Sequence, residues 1–540
     1  MFDATNLATV AVGATTRAPT GMVAAADHLA SSAGVAVLRA GGSAVDAAVA
    51  AGAVLAVTNQ HQCGLGGDLF ALVHRPGEPV AALCAAGRAG SGADADRARR
   101  EVGPTGRVPL HGDVQAVTVP GCVDGWIELH RRLGRLPLDV VLEPAVGYAA
   151  DGFPASRLLA ATARDVLQLE GADDYREAAG SDGRLAGGAL IRRPGVAAAL
   201  TAIGSGGRDA FYRGPFGAGL IELGAGLFTP HDLARTQADW VTPLRITAWG
   251  HDVWTTPPPS QGYLTLAGAW IADGLPLPDD PGDAAWPHLL AEAARAAGYD
   301  RPDVLFEGAD GYALLAPGRL AGRRAGIDPG QRGTQAPLTS AGGTTVCCAV
   351  DRDRMGVALI QSNAAAWGAH IVEPATRVFL HGRGVGFSLE PGHPAELAPG
   401  RRPPHTLAPA LVTRPDGPLR AVLGTMGGDS QPQVLLQVLA RLLRRGDSPG
   451  RVIAAPRWIL GGGDSFRLWD GDGPGYVEIE AHANDAWERG LSARGHDVRR
   501  SPDPVDHGFG HTQVIEVTGG GRLLAGVADP RALDGAAFGY

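Results

Sequence analysis

The first part of the chain has helical hydrophobic periodicity. Residues His28–Arg39 repeat apolar positions with a helical spacing, and Gly41-Gly42 ends that pattern. The next run, Val45–Val57, is apolar on nearly every side, and Ser43 before it is suited to cap a first helical turn. A helix that is apolar all round is typical of a buried position between layers. The pattern therefore predicts two helices, the second of them enclosed by the fold.

A glycine-rich segment comes next. Gly64-Leu65-Gly66-Gly67-Asp68 precedes a short apolar strand, Leu69–Val73. The segment lacks the spacing of a Walker or Rossmann phosphate loop, and it leads into a strand. We therefore predict a tight turn here and no phosphate site.

The rest of the chain mixes both kinds of element. The pattern predicts helices over 120–133, 138–151 and 263–271, and strands over 244–255 and 419–423. Strands and helices in both halves of the chain favour α and β layers stacked on each other, which is an α+β arrangement.

Residues 323–343 differ in character from what surrounds them. The stretch GIDPGQRGTQAPLTSAGG is rich in Gly, Pro, Thr and Ser and has almost nothing to bury, which is typical of an exposed, mobile linker. Two strands are predicted directly after it, Thr345–Val350 and Val357–Gln361. The polar residues Asp351–Gly356 between them are suited to a hairpin turn.

Thr344 stands at the junction between the linker and the first strand. A cut between Gly343 and Thr344 would give this threonine a free α-amine, whose ordinary pKa of about 7.7–8.0 suits a base for the adjacent hydroxyl. If the hairpin is symmetric about Asp353, Thr344 lies opposite Ser362, with Cβ atoms about 4.5–5.5 Å apart. Ser362 could then orient or activate Thr344; a purely structural Thr–Ser pair across the strands is the alternative.

A second glycine-rich turn follows the strand at 419–423. In Gly424-Thr425-Met426-Gly427-Gly428-Asp429, the two adjacent glycines could turn backbone N–H groups towards one point and stabilise an oxyanion. The alternative is a simple turn before the helix predicted over 434–443.

Composition excludes several classes of function. The chain has 540 residues, a formal net charge of −9 and 45% hydrophobic residues, as expected of a globular protein. Its cationic side chains are all arginine, so no lysine nucleophile or Schiff base is available. The arginines form no basic stripe, so we expect no nucleic-acid partner. No apolar run approaches the roughly 18 residues of a membrane span, and no signal peptide is evident, so we expect no membrane association and a cytoplasmic location.

The cysteines indicate neither a disulfide framework nor a metal site. There are five, an odd number, and none form a C-x-x-C pair. Cys347 and Cys348 alternate on the strand after Thr344, so we expect one of them to face the core. A cysteine nucleophile is disfavoured, and no metal or cofactor is predicted.

Successive blocks of the chain resemble the gamma-glutamyltransferase family. In order they are GMVAAADHLAS, GVAVLRAGGSAVDAAVAA, QCGLGGDLFALV, AVTVPGCVDGWIELHRRLGRLPL, GYAADGFPAS, PPPSQGYL, GTTVCCAVDRDRMGVALIQS, RRPPHTLAPALV and GTMGGDSQPQ. The resemblance runs from about Gly21 to Trp458. It implies an N-terminal-nucleophile hydrolase fold, a four-layer αββα sandwich with two central β-sheets.

The resemblance also implies a precursor that cuts itself into two subunits, 1–343 and 344–540, which stay together as one αββα unit and act on a small-molecule amide. The cleavage site falls between Gly343 and Thr344. The nucleophile falls on Thr344, the assisting hydroxyl on Ser362, and the oxyanion glycines on Gly427 and Gly428.

Several family positions for binding a gamma-glutamyl substrate are changed. Ala86 takes the place of the arginine that binds the α-carboxylate, although Arg88 lies two residues later. Gly386 takes the place of the aspartate that binds the α-amine. His405 and Thr406 replace two serines that contact the carboxylate, and either could serve in substrate binding.

These changes leave two kinds of acyl donor open, gamma-glutamyl and a glutaryl-type group without the α-ammonium. Loss of one charged hydrogen bond costs about 1.5–3 kcal/mol, which makes free glutathione a poor expected substrate. A different class of function also remains open, a non-catalytic descendant that binds a small acid or a protein partner.

Overall fold

The structure is a computed structural model that describes residues 15–102, 107–334, 343–461, 475–503 and 507–540. No helix in these ranges is both long and apolar enough to cross a membrane. The α-helices are, in chain order, α1 (His28–Arg39), α2 (Ala44–Thr58), α3 (Ala95–Val102), α4 (Cys122–Leu133), α5 (Leu138–Asp151), α6 (Arg157–Ala163), α7 (Asp173–Ala178), α8 (Pro194–Tyr212), α9 (Pro215–Gly224), α10 (Pro230–Ala234), α11 (Tyr263–Asp273), α12 (Ala285–Gly298), α13 (Arg301–Val304), α14 (Gly311–Leu314), α15 (Pro317–Ala325), α16 (Gln431–Leu439), α17 (Pro449–Ala454) and α18 (Asp485–Ala493).

The strands are β1 (Thr16–Ala18), β2 (Met22–Ala25), β3 (Asp68–His74), β4 (Ala81–Ala85), β5 (Phe153–Pro154), β6 (Leu190–Ile191), β7 (Asp239–Val241), β8 (Leu244–Ala248), β9 (His251–Thr255), β10 (Gly343–Val350), β11 (Gly356–Ala364), β12 (Val372–Glu373), β13 (Val378–Phe379), β14 (Ala410–Thr413), β15 (Leu419–Thr425), β16 (Trp458–Gly461), β17 (Tyr476–Ile479), β18 (Asp497–Arg500), β19 (Thr512–Thr518), β20 (Leu523–Ala528) and β21 (Ala536–Gly539).

Two seven-stranded antiparallel sheets form the centre of the molecule. The hairpin sheet has the order β21-β2-β10-β11-β3-β4-β7, and the second sheet has the order β1-β20-β19-β15-β14-β9-β8. Each sheet combines strands from before and after Gly343. Smaller sheets, β5-β6, β12-β13 and β16-β17-β18, are separate from these two.

Three hydrophobic cores separate four layers. One core joins helices from the range α1 to α10 to one face of the hairpin sheet, and a second core lies between the two sheets. The third joins the second sheet to α11, α12 and α16. The α+β fold class and the four-layer αββα sandwich are thus confirmed.

The buried helix α2 explains how the hairpin sheet is covered. Ser43 and Asp46 form a reciprocal capping box at its N-terminus, as the sequence indicates for Ser43. All fifteen residues of α2 are buried. The helix packs on β10 and β11, so the strands that follow Gly343 are shielded from solvent on this face.

Two expectations need correction. The linker begins later than predicted, because α15 extends to Ala325 and the backbone of Arg332 and Gly333 is hydrogen-bonded to neighbouring elements. The remaining part, 335–342, lies outside the described residues.

Cys347 and Cys348 are both fully buried, because β10 is central in its sheet: one thiol lies in the helix-facing core and the other in the core between the sheets. Burial raises the pKa of both thiols, which disfavours a thiolate nucleophile.

Candidate active site

The hairpin β10–β11 places Thr344 against Ser362. Its register pairs Thr345 with Gln361 and continues regularly to the turn, as the predicted symmetry about Asp353 requires. An irregularity between Gly343 and Thr345 sets Thr344 at a bulge. The Thr344 hydroxyl donates a hydrogen bond to Ser362 Oγ at 3.1 Å. The expected approach of the two hydroxyls is therefore present.

Ser362 connects this hydroxyl to the peptide bond before it. Ser362 Oγ donates to the carbonyl oxygen of Gly343, the carbonyl that Thr344 would attack in self-cleavage. The same oxygen accepts from the backbone N–H of Ala364 at 2.8 Å and from Arg383 Nη2 at 3.2 Å. Ser362 and Thr344 are both buried, so these bonds are sheltered from water.

Gly343 allows the peptide bond before Thr344 to approach the end of β11 closely. A Cβ added at Gly343 would lie 2.6 Å from the carbonyl oxygen of Ala365. Ala364 beside it has a φ of 75°, a left-handed conformation unusual for a residue other than glycine. The local chain path thus requires glycine at the residue before Thr344.

An ionised aspartate lies behind Ser362. Asp68 is the register partner of Ser362 on β3 and is completely buried. One oxygen of Asp68 is 3.0 Å from His405 Nε2 and 3.3 Å from His381 Nδ1, while the other accepts from the N–H of Gly87 at 2.8 Å. Burial raises the pKa of Asp68, but the charge of His381 and the hydrogen bonds of both histidines outweigh this effect and hold that pKa well below its usual range.

His405 is held inside the structure by both ring nitrogens. Its Nδ1 accepts from the backbone N–H of Leu407 at 3.2 Å, so its Nε2 is the protonated nitrogen that donates to Asp68. The ring also contacts Phe70 edge-on, with centroids 4.7 Å apart. Burial, together with the charge of Arg383, lowers the pKa of His405 to about 3. This arrangement favours the packed, structural interpretation of His405 over a role in substrate binding.

Arg383 introduces a positive charge that sequence reasoning missed. It begins a short 3-10 turn, Arg383–Gly386, and only 2% of the residue is exposed. Its Nη1 donates to Thr406 Oγ1 at 3.0 Å, and its Nη2 donates to Ser362. Burial lowers its pKa to about 10, although the charges of Asp68 and Asp429 oppose this effect. No hydrophobic pattern in the sequence marks Arg383 as a site residue. The one feature that could have indicated it is an isolated cationic side chain between Gly382 and Gly384.

A cavity of about 360 Å³ opens beside this guanidinium. Arg383 and Thr406 line it together, so the predicted substrate-binding position Thr406 does face an open space. Arg301 also lines the cavity, but its charge is paired with Asp429 at 2.8 Å.

A second cavity, of about 590 Å³, lies beside the peptide bond that is predicted to be cleaved. Gly343 and Gly427 both line it, so one predicted oxyanion glycine lies at the same opening as the residue before the predicted cleavage site. Gly427 has a φ of 135° and Gly428 a φ of 53°, conformations that favour glycine. The carbonyl oxygen of Gly428 accepts from Gln261 Nε2 at 2.9 Å, which fixes the turn.

Arg88 is already engaged by acidic side chains. Its guanidinium contacts Glu307 at 2.6 Å and Asp239 at 3.0 Å, and Arg402 contacts Asp239 at 2.8 Å. Among the described residues that line the two cavities, Arg88 does not occur. Its charge is therefore largely neutralised, and the geometry gives no support to its expected role in substrate binding.

Gly386 lines the smaller cavity but has little room for a side chain. A Cβ at this position would lie 2.7 Å from the carbonyl oxygen of Pro404. A carboxylate introduced at this position would therefore require the backbone to move.

One cluster of potential metal ligands occurs elsewhere among the described residues. His288, Glu292 and His496 are all buried, with ligand atoms within 4.8 Å of one another. His288 Nδ1 and His496 Nε2 already share a hydrogen bond at 2.8 Å, and Arg295 pairs with Glu292 at 3.3 Å. A cation would have to break the histidine pair next to an arginine, so the cluster favours a structural role.

Comparisons with known proteins show the family to which the chain belongs. The sequence profile of the gamma-glutamyltranspeptidase family matches residues 30–539. The oxamate amidohydrolase proenzyme of Klebsiella pneumoniae is 36% identical, with 96% of this chain and 98% of that protein covered. A glutathione hydrolase-like proenzyme of Bacillus subtilis, YwrD, is 32% identical over 96% of this chain and 98% of its own length.

A solved structure shows the same fold. The cephalosporin acylase from Bacillus halodurans superimposes with a TM-score of 0.86 at 31% identity and covers 97% of each chain. These relatives are an amidohydrolase, a glutathione hydrolase-like protein and an acylase, and the two curated ones are proenzymes. The chain therefore belongs to the gamma-glutamyltranspeptidase family and is an amidohydrolase of that family.

Proposed function

We propose that the protein is a self-processing amidohydrolase whose nucleophile is Thr344, and that it cleaves the amide of a carboxylate-bearing acyl group through an acyl-enzyme. The observation that carries the proposal is the hydrogen-bonded path from Thr344 through Ser362 to the carbonyl oxygen of Gly343. That path joins a nucleophilic hydroxyl to the bond that must be broken.

Self-cleavage uses this path directly. The Thr344 oxygen attacks the carbonyl carbon of Gly343, and its proton passes by way of Ser362 to the reacting amide. The Gly343–Thr344 C–N bond then breaks and leaves an ester on the Thr344 oxygen and a free α-amine. Water hydrolyses the ester and releases the carboxyl end of Gly343. The hydrogen bond from Ser362 polarises the carbonyl before attack.

Turnover by the mature enzyme repeats the attack on a substrate. The α-amine of Thr344 accepts the hydroxyl proton, and the N–H groups of Gly427 and Gly428 stabilise the oxyanion. Collapse expels the amine, which takes up that proton, and leaves the acyl group on Thr344. Water then releases the acyl group as a carboxylic acid and restores the enzyme.

The acyl donor is inferred from what the site lacks. Gly386 supplies no carboxylate for an α-ammonium, so an acyl group without that ammonium is the better match. A glutaryl-type group meets this condition. The acyl part of oxamate, the substrate in the name of the Klebsiella relative, also meets it. The gamma-glutamyl group is the less favoured alternative. The non-catalytic alternative gains no support, because Thr344, Ser362 and the glycine pair occupy coherent positions.

The decisive experiment follows the precursor over time. Cutting the 540-residue chain after residue 343 leaves a second piece of 197 residues that begins with Thr344. Denaturing gels and N-terminal sequencing of purified protein should show these two pieces. Thr344→Ala should remain uncut and inactive, while Thr344→Ser, which keeps the hydroxyl, should still be cut. A new N-terminus elsewhere, or processing of Thr344→Ala, would refute the assignment.

A pair of anilides tests the acyl preference. We expect a higher kcat/KM for the glutaryl anilide than for the gamma-glutamyl anilide, by one to two powers of ten, because an unpaired ammonium costs about 1–3 kcal/mol. A clear preference for the gamma-glutamyl compound would show that other residues bind the amine.

A further inference from the structure

Arg383 differs from the other fully buried arginines in having no acidic partner. The guanidinium of Arg193 lies 3.8 Å from Asp174, and that of Arg457 lies 2.7 Å from Asp529. Within the described part of the chain, Arg383 forms no ion pair; its partners are two hydroxyl groups, and its Nε–H has no acceptor. A buried cation is costly unless it is paired, so this site is incomplete without an anion.

The nearest acidic groups do not fill that role. Asp68 acts on Arg383 only at longer range, and its oxygens are occupied by His405, His381 and a backbone N–H. Asp429 is paired with Arg301 at 2.8 Å. A guanidinium has five N–H donors, and Arg383 uses two of them on hydroxyls, so a carboxylate can still be bound through the others.

Arg383 is close to the nucleophile as well as to a cavity. Its Nη2 and the Thr344 hydroxyl contact the same oxygen of Ser362, at 3.2 and 3.1 Å. The two atoms are therefore at most about 6.3 Å apart. Arg383 and Thr406 also line the cavity of about 360 Å³, which gives a small anion a place to lie.

We propose that Arg383 binds the carboxylate of the acyl group and thereby selects monoamides of short dicarboxylic acids, with two or three carbon atoms. This inference rests on the proposed amidohydrolase function. A reacting carbon lies about 3–3.5 Å from its nucleophile, and a carboxylate oxygen lies about 2.7–2.9 Å from a guanidinium nitrogen. Atoms at most about 6.3 Å apart can then be bridged by a carboxylate one or two bonds from the reacting carbonyl. A five-carbon chain has more rotatable bonds, which must be ordered before both contacts form.

The first measurement uses the wild-type enzyme. Ammonia release from the monoamides of the C2 to C5 dicarboxylic acids gives kcat/KM along a series that differs only in chain length. We expect the C2 or C3 compound to exceed the C5 compound by at least about tenfold, and free C2 or C3 dicarboxylates to inhibit competitively more strongly than the C5 acid. The reverse order would overturn the proposal.

The second measurement removes the charge. Arg383→Gln should lower kcat/KM for the best monoamide by about 100-fold or more, but should lower it much less for the neutral methyl ester of the same compound. Arg383→Lys should retain more of the preference for the anion. The ratio of kcat/KM for the monoamide to kcat/KM for its methyl ester does not depend on how much enzyme has matured. A purely structural effect of the substitution therefore lowers both kcat/KM values and leaves their ratio unchanged.

The outcomes separate the two proposals. If Thr344→Ala is processed or the wild type cleaves no amide, the proposed function fails. If the wild type cleaves amides but Arg383→Gln leaves the ratio of kcat/KM for the monoamide to that for its methyl ester unchanged, the proposed function stands and the assignment of Arg383 fails. If neither variant matures, the order of the wild-type chain-length series alone supports or overturns the proposal.

Discussion

Replacing Ser362 with alanine should slow self-cleavage and destabilise the precursor at the same time. The change removes the donor to the Gly343 carbonyl oxygen and the acceptor of the Thr344 hydroxyl. Orienting or acid–base help of this kind is worth about 10²–10⁴-fold, which corresponds to about 2.7–5.4 kcal/mol in the barrier. The N–H of Ala364 and one N–H of Arg383 also lose an acceptor. Each orphaned buried donor costs about 1–3 kcal/mol, so the two N–H groups alone should lower the free energy of unfolding by roughly 2–6 kcal/mol.

The assay is a time course of freshly purified precursor, sampled into denaturant and resolved on gels. Ser31→Ala is the matched control, because Ser31 is also fully buried and donates a single bond, to the carbonyl oxygen of Ala536 at 2.8 Å, away from the site. The control should cleave at the wild-type rate and lose only about 1 kcal/mol. If Ser362→Ala cleaves as fast as the wild type, Ser362 plays no part in the reaction and the pair across the strands is structural.

Three further outcomes are expected. Gly343→Ala should slow processing at least about tenfold, because its Cβ would lie 2.6 Å from a backbone oxygen; cleavage gels measure this rate. The control Gly147→Ala places its Cβ in open space and should stabilise the helix by about 1 kcal/mol, which melting temperatures measure. Burial lowers the pKa of His405 and His496 from 6.5 to about 3, so the unfolded chain binds more protons in this window. Stability of uncut Thr344→Ala protein should be full above about pH 6.5 and fall by up to about 1.4 kcal/mol per pH unit for each histidine towards pH 3, as melting temperatures across pH would show; a flat profile contradicts this. Gly386→Asp should lower kcat/KM for glutaryl and gamma-glutamyl anilides alike, since its Cβ would meet a carbonyl oxygen at 2.7 Å; a selective gain for the gamma-glutamyl compound would contradict that view.

The hairpin at the site could be predicted from sequence because its determinants are local. The two strands and the polar turn at 351–356 lie within one short segment, and an antiparallel register follows from the position of the turn. The contact between Thr344 and Ser362 therefore followed from counting residues. The helices α1 and α5 began and ended where their periodicity predicted, since apolar spacing and glycine stops act over a few residues.

The charged groups around the site could not be predicted in the same way. Asp68 and Arg383 are brought to Ser362 by pairing across the sheet and by a turn far along the chain, and no local pattern records such contacts. Arg88 was predicted to bind substrate because it lies two residues after Ala86, where the family has its carboxylate-binding arginine. Its acidic partners come from distant parts of the chain, so its neutralisation was visible only in three dimensions. The burial of both Cys347 and Cys348 likewise depended on β10 lying at the centre of the sandwich.

The mixed composition of the two sheets has a consequence for how the enzyme can be renatured. β10 pairs with β2, β20 pairs with β1, and β14 pairs with β9, so strands from both sides of Gly343 share backbone hydrogen bonds and one core. The uncut chain folds as a single molecule at a rate independent of concentration. After cleavage the same contacts would have to form between two separate polypeptides, and folding would become second order. Denatured mature enzyme should therefore recover poorly when dilute, whereas uncut Thr344→Ala protein should refold equally well at any dilution.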